Sequence, residues 1–289
     1  MQKESFGYLQ LIIYALLAGS VGIFVKGTSG LDAGQLLFFR GFIASFFLLL
    51  AVLLLGKIGS LKIIDAKRTL FIGIAEALSI FFYFSSMLQT TVSNSMFLAI
   101  ATAPAFALIL AKIFLKERIE KRTIISTAIV ITGIILLLNP AEFSFDSSKT
   151  IGNIFALLSG LLYASMVVAS KPLLEKVSGH YVVFWQYLIA CVLFIPAIIL
   201  MPLKIGAISQ NLFQLLMIGV ACTGIAFVFL MEGLKKIKAQ KVFLITSLET
   251  MTGTALAVLL LGEQISLLSI AGAVLILFGI YRTAKSAGN

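Results

Sequence analysis

Shifted by 146 positions, the second half of this 289-residue chain repeats the first. Phe38-Phe39-Arg40 falls on Phe184-Trp185-Gln186, Gly73 on Gly219, Phe81 on Phe227, Phe97 on Phe243, Glu117 on Glu263 and Gly133 on Gly279. Lys26 meets Lys171 after one residue of slippage. The matches keep their order and lie in or beside apolar runs, so the fold must hold two copies of one hydrophobic unit. Three parts follow: a first repeat over residues 1–139, a connecting loop at 140–150 with Pro140, Asp146 and Lys149, and a second repeat over 151–289.

The unit is a membrane one. Of the residues, 60% are hydrophobic and 12% charged, with a mean hydropathy of +1.11. A soluble domain carries roughly 45–50% apolar and 25% charged residues. A helix needs about 20 apolar residues to cross a bilayer. Ten runs fall within the spanning range of about 17–25 residues, near residues 8–26, 33–55, 69–88, 93–114, 123–139, 151–170, 181–201, 211–231, 242–261 and 266–282. The first reads as a span and not as a cleaved signal peptide, because it has a counterpart at 153–171.

Five spans per repeat is an odd number, so the second repeat enters the membrane upside down relative to the first. The basic residues agree. Eighteen Lys and Arg lie at the termini and in the loops after spans 2, 4, 6 and 8, against three on the other side (Lys26, Lys149 and Lys204), with Arg40 inside a span. By the positive-inside rule both termini are cytoplasmic. The expected fold is an all-α integral membrane protein, multi-pass in the cell (cytoplasmic) membrane, with ten transmembrane helices in two inverted five-helix repeats. Inverted halves offer inward-open and outward-open states of similar energy, as alternating access requires.

Several function classes drop out. The net charge of +10 belongs to the loops, which leaves no basic face for nucleic acid. Cys191 and Cys222 stand alone in apolar runs and His180 is the only histidine, so neither a disulfide framework nor a metal site is expected. There is no GxxxxGK[ST] phosphate loop for ATP hydrolysis and no pair of acidic motifs to hold magnesium. No cofactor is expected, and an intramembrane enzyme is disfavoured.

Charges inside hydrocarbon cost at least about 2.5–3.5 kcal/mol each, so they need a partner or a wet cavity. Arg40, Glu76 and Glu249 stand well inside predicted helices. Arg40 lies roughly 10 Å deep in span 2 and Glu249 nears the midplane in span 9, within reach of one another as extended side chains; Glu76 in span 3 is a second partner for Arg40. In one reading Arg40 meets an acidic group of a substrate, and Glu249 meets a basic one or takes up a proton. In the plainer one the charges only fix packing between the halves. The repeat sets Arg40 opposite Gln186, Glu76 opposite Cys222 and Glu249 opposite Ala103, an inequality that suits one asymmetric substrate. Tyr14, Tyr83, Tyr163, Trp185 and Gln186 are candidates to line the cavity, or else an interfacial aromatic belt. Ser247, Thr250, Thr252 and Thr254 line it beside Glu249 or bond their own helix backbone. Ala156/Gly160/Ala164 and Gly272/Gly279 permit close helix contact, within a monomer or across a homodimer. Pro104 permits a kink.

The order of short motifs resembles the EamA branch of the drug/metabolite transporter superfamily over essentially the whole chain. The matching stretches are Ala103-Pro104-Ala105 through Leu115-Lys116-Glu117-Arg118, and Leu248-Glu249-Thr250 through Leu261-Gly262-Glu263, followed by Ala271-Gly272-Ala273 and Phe278-Gly279. Arg40 occupies the place of an arginine common in that family's second helix. Where the family usually has Glu-Pro in helix 9, this chain has Glu249-Thr250. The resemblance implies a ten-helix carrier with a cavity lined by helices 1–4 and 6–9, helices 5 and 10 lying at the periphery. Members move amino acids, amines, nucleosides or other small metabolites, often outward. The expectation is a secondary transporter that exports a small organic metabolite such as an amino acid or amine, with Arg40, Glu76, Tyr83, Tyr163, Trp185, Gln186, Ser247 and Glu249 at the substrate and the proton as an optional coupling ion. A flippase for a lipid or lipid-linked sugar is the alternative.

Overall fold

A computed structural model describes residues 2–140, 143, 146–262 and 264–285, and all secondary structure among them is helical. Four residues of the connecting loop (141, 142, 144 and 145) and Glu263, the repeat partner of Glu117, lie outside the described residues. Among the described residues nine helical stretches are long and apolar enough to cross a membrane: α1 Lys3–Lys26, α2 Ala33–Leu54, α3 Ala66–Gln89, α4 Asn94–Phe114, α6 Ser147–Leu174, α7 Gly179–Leu200, α8 Leu212–Leu234, α9 Ala239–Leu261 and α10 Leu267–Ala284. Between α4 and α6 runs α5, Lys121–Leu137, with 17 residues. Helices α2, α3 and α5 open at Ala33, Ala66 and Lys121; α7, α8 and α10 open at Gly179, Leu212 and Leu267, each 146 residues later.

The two halves interlock. Helix α3 lies along α6, α1 packs on α8 and α9, α2 packs on α7, and α5 lies along α10. The small residues serve these contacts within the chain. A Cβ on Gly133 of α5 would meet the Gly272 carbonyl of α10 at 2.8 Å, and one on Gly160 of α6 would meet the Ala99 carbonyl of α4 at 2.6 Å.

Helices α1, α4, α8 and α9 are among those interrupted, and side-chain chemistry accounts for three of these four breaks. In α1 the helix stops at Gly19 and resumes at Val21; the Ser20 hydroxyl donates to the Leu17 carbonyl at 2.7 Å, competing with the backbone ladder. In α4 a π turn, Phe97–Ala101, precedes Pro104, which has no N–H for the Ile100 carbonyl. Helix α9 breaks at Ser247, between Ala239–Thr246 and Leu248–Leu261. The Thr246 and Ser247 hydroxyls both donate back to the Phe243 carbonyl, at 3.3 and 2.9 Å, so the bend needs no proline. The π turn of α8, Met217–Ile225, has no such cause in its sequence.

Burial along α9 is uneven. Every residue of Ala239–Thr246 is buried and this half packs on α4, whereas only Thr250 is buried in Leu248–Leu261, which packs on α1. The α4–α9 seam is therefore shut at the lysine-rich end.

Candidate functional site

The breaks in α1 and α9 place polar atoms at the centre of the bundle. Glu249 sits in the first turn of the resumed helix Leu248–Leu261, where the helix dipole favours an anion. Tyr14 of α1 donates its hydroxyl proton to Glu249 Oε2 at 2.8 Å. That hydroxyl also lies 2.9 Å from the Tyr163 hydroxyl of α6; with its one proton given to Glu249, it accepts from Tyr163.

A second chain runs in parallel. Arg40 of α2 donates through Nε to Thr223 Oγ1 at 2.9 Å and through Nη2 to the Tyr187 hydroxyl at 3.2 Å. Tyr187 in turn donates to Glu76 Oε1 at 3.0 Å. Each carboxylate thus accepts a hydrogen bond from a tyrosine that itself accepts from another donor. Phe227 joins the two chains: Tyr14 and Tyr187 set their rings edge-on to it at centroid distances of 5.4 and 5.3 Å, and the Arg40 guanidinium lies 5.7 Å from its centre. A guanidinium over aromatic faces gains from their quadrupoles. Arg40, Glu76 and Glu249 are close enough to act on one another electrostatically.

The arrangement brings Arg40, Glu76, Glu249 and Tyr163 together. Arg40 reaches Glu76 through Tyr187, while Glu249 takes its bond from Tyr14. Tyr83 is half-buried on α3 with its ring edge-on to Phe84. Trp185 points elsewhere: its indole N–H donates to the Leu61 carbonyl, in the α2–α3 connection, at 3.0 Å. The Ser247, Thr252 and Thr254 hydroxyls donate to carbonyls four residues back in their own helix. A hydroxyl near a free i−4 carbonyl takes it in preference to an empty cavity. Gln186 is fully buried, and neither its amide oxygen nor its nitrogen has a hydrogen-bond partner.

Tyr187, Thr223 and Phe227 were not legible as site residues from charge and burial alone. The repeat held the signal. Tyr187 is one residue past Gln186, the counterpart of Arg40, and Thr223 is one past Cys222, the counterpart of Glu76. The π turn through Met217–Ile225 sets Thr223 on Arg40, while Cys222 Sγ meets Ser20 Oγ at 3.3 Å.

Buried opposite charges beside interrupted helices, in a bundle of two like halves, are the build of a multi-pass membrane carrier. Comparison with known proteins agrees. The chain belongs to the EamA-like transporter family, whose model matches residues 5–139 and again 150–284. It is 26% identical over 277 residues to an uncharacterized transporter of Archaeoglobus fulgidus, covering 95% of each chain. It is also 26% identical over 192 residues to the pseudopaline exporter CntI of Pseudomonas aeruginosa, covering 66% of this chain and 65% of that one. A solved crystal structure shares the fold, with a TM-score of 0.85 at 18% identity over 96% of both chains. The protein is a membrane transporter of the drug/metabolite superfamily, working in a lipid bilayer on a small molecule.

Proposed function

We propose that this protein is a secondary carrier that exports a small zwitterionic or amine-bearing metabolite by alternating access. It would have ten spans and both termini at the cytoplasmic face. The observation that carries this reading is the pair of buried hydrogen-bonded chains that hold Arg40 and Glu249, tied across Phe227. Arg40 would hold an acidic group of the substrate and Glu249 a basic one, with Tyr163 between them. The unpartnered amide of Gln186, beside Tyr187, would gain its bonds as the site rearranges around substrate. Outward direction draws on the exporter among the relatives. The test is counterflow in proteoliposomes with matched neutral, anionic, cationic and zwitterionic metabolites. Competition by the amine-bearing members alone supports the reading. Competition by the anionic members alone rejects it.

Alternating access needs a seal that can open, and the lysine-rich end has one. The Glu117 carboxylate, in the α4–α5 loop, accepts from the backbone N–H groups of Ala239 and Gln240 at 2.9 and 3.4 Å, capping the start of α9. Gln240 Nε2 donates to the Arg118 carbonyl at 3.1 Å, and Lys238 pairs with Glu120 at 3.1 Å. The Lys238 hydrogen bond and charge hold the Glu120 carboxyl below its ordinary range, so this strand of the seal is intact above that range and lost as pH falls through the lowered value. On α6, Lys171 Nζ donates to the Leu234 and Ile237 carbonyls.

Glu117→Gln would keep one amide oxygen for the cap and lose the charge, weakening the seal by about 1 kcal/mol, the size of a charged N-cap. The expected result is a roughly fivefold gain in thiol labelling of a cysteine placed at Thr246, inside the seal. Labelling no faster than in the unaltered background would show that Glu117 does not hold the seam.

A further inference from the structure

Between the lysine-rich ends of α4 and α5 lies a groove of about 830 Å³ that opens at the surface of the bundle. Its walls are aliphatic, with Leu108, Ile109, Ile113, Ile124 and Ala128 among them, and Lys112 is the one charged residue in its lining. Ile109, Ile113 and Ile124 are each more than half exposed. Lys112 lies in the last turn of α4, at the mouth of the groove.

The charge around that mouth is one-sided. Lys112, Lys116, Arg118, Lys121 and Arg122 are all exposed, and among the described residues none of the five makes an ion pair. The two acids of the same loop are turned away, Glu117 onto the start of α9 and Glu120 onto Lys238. The second repeat gives an internal comparison: at the equivalent places stand Val258, Gly262, Gln264, Leu267 and Leu268, with no cation. An apolar groove lined at one end by Lys112, next to a loop whose four other cations are exposed and whose two acids are engaged elsewhere, is complementary to a lipid with an anionic head and two acyl chains.

We propose that this groove binds one anionic diacyl phospholipid of the lysine-rich leaflet. Its chains lie along Ile109, Ile113 and Ile124, and its phosphate sits on Lys112 with Lys116 beside it. Chains that fill the groove restore the dispersion contacts a void would forfeit, and the cations select the head. The site is separate from the Arg40–Glu249 centre and does not depend on what is carried.

Native mass spectrometry of the purified full chain, titrated with dioleoyl phosphatidylglycerol or dioleoyl phosphatidylcholine, tests this. The unaltered protein should retain one phosphatidylglycerol at least about fivefold better than phosphatidylcholine, the preference that one surface cation supplies. Lys112→Gln with Lys116→Gln should abolish the preference. Ala128→Phe, which fills the groove and spares the cations, should weaken both lipids. Lys57→Gln, on another loop, should change nothing. Equal retention of the two lipids by the unaltered protein overturns the proposal. So does loss of preference in Lys57→Gln, the mark of diffuse surface charge, or displacement by inorganic phosphate alone, the mark of a head-only anion site. Variants are compared only where gel filtration and circular dichroism match the unaltered protein; should the double variant fail to fold, Ala128→Phe decides.

Discussion

Glu249→Gln is expected to lower the initial rate of amine or zwitterion uptake roughly 10–100-fold while the melting temperature moves by only a few degrees. The amide has the shape of the carboxylate, and its oxygen still accepts the Tyr14 proton that Glu249 receives at 2.8 Å. What disappears is the negative charge. A hydrogen bond to a charged group is worth about 1.5–3 kcal/mol, and each 1.36 kcal/mol is tenfold in rate, which sets the range. Arg40→Gln is a blunter probe. It would leave Glu76 buried with Tyr187 as its donor and no cation beyond it, and breaking a buried ionic arrangement costs about 3–5 kcal/mol in stability by itself. Tyr187→Phe falls between the two, since it removes the hydroxyl joining Arg40 to Glu76 and keeps both charges. Uptake of radiolabelled substrate by proteoliposomes, with insertion checked by protease protection, reads all three. Full activity in Glu249→Gln would remove Glu249 from the substrate site and leave it a packing role.

The parts of this arrangement that were legible in the sequence are those fixed by hydrophobicity and repetition. Spans of apolar residues must be helices in a bilayer, because no water is present to satisfy their backbones, and α2 and α7 open at Ala33 and Gly179, the spacing of the repeat. Arg40, Glu76 and Glu249 were legible because charge in hydrocarbon is costly. On the Glu249 side Tyr14 and Tyr163 stand among the cavity candidates; Tyr187 and Thr223, the partners of Arg40, do not, because a tyrosine or threonine is cheap anywhere in a membrane helix and signals little by its presence. Trp185, a candidate for the cavity or for an interfacial belt, stands seven residues into its helix, and the α2–α3 connection folds in to meet its indole N–H at Leu61. Ser247 lies within two residues of Glu249, but proximity in sequence did not reveal that its hydroxyl serves the bend, which in turn puts Glu249 at a helix start. The bend forms although Thr250 stands where the family usually has a proline. Back-bonded hydroxyls at Thr246 and Ser247 achieve it instead.

Gly19→Val should abolish transport with every charged and hydroxylic group of the site still present. Gly19 closes the first segment of α1, and a Cβ there would come within 2.6 Å of the Glu249 carbonyl and 2.7 Å of Thr252 Cβ. The obstacle is backbone, so no rotamer change can absorb it. Helix α9 must move off α1, and the bond from Tyr14 to Glu249 lengthens with it. Overpacking of this kind costs about 1–3 kcal/mol, enough to lower the melting temperature by several degrees in a chain of this size. The loss of transport should be larger, at least about 100-fold, because misplacement by an ångström at a binding site has that effect on rate. Gly22→Ala supplies the control. It lies three residues further on, where a Cβ meets nothing within 4 Å, and the exchange should leave uptake unchanged and stability equal or slightly higher, since alanine is the better helix former. If Gly19→Val transports like Gly22→Ala, the contact of α1 with α9 at Glu249 is not part of the working site, and the placement of Glu249 by Tyr14 loses its functional meaning.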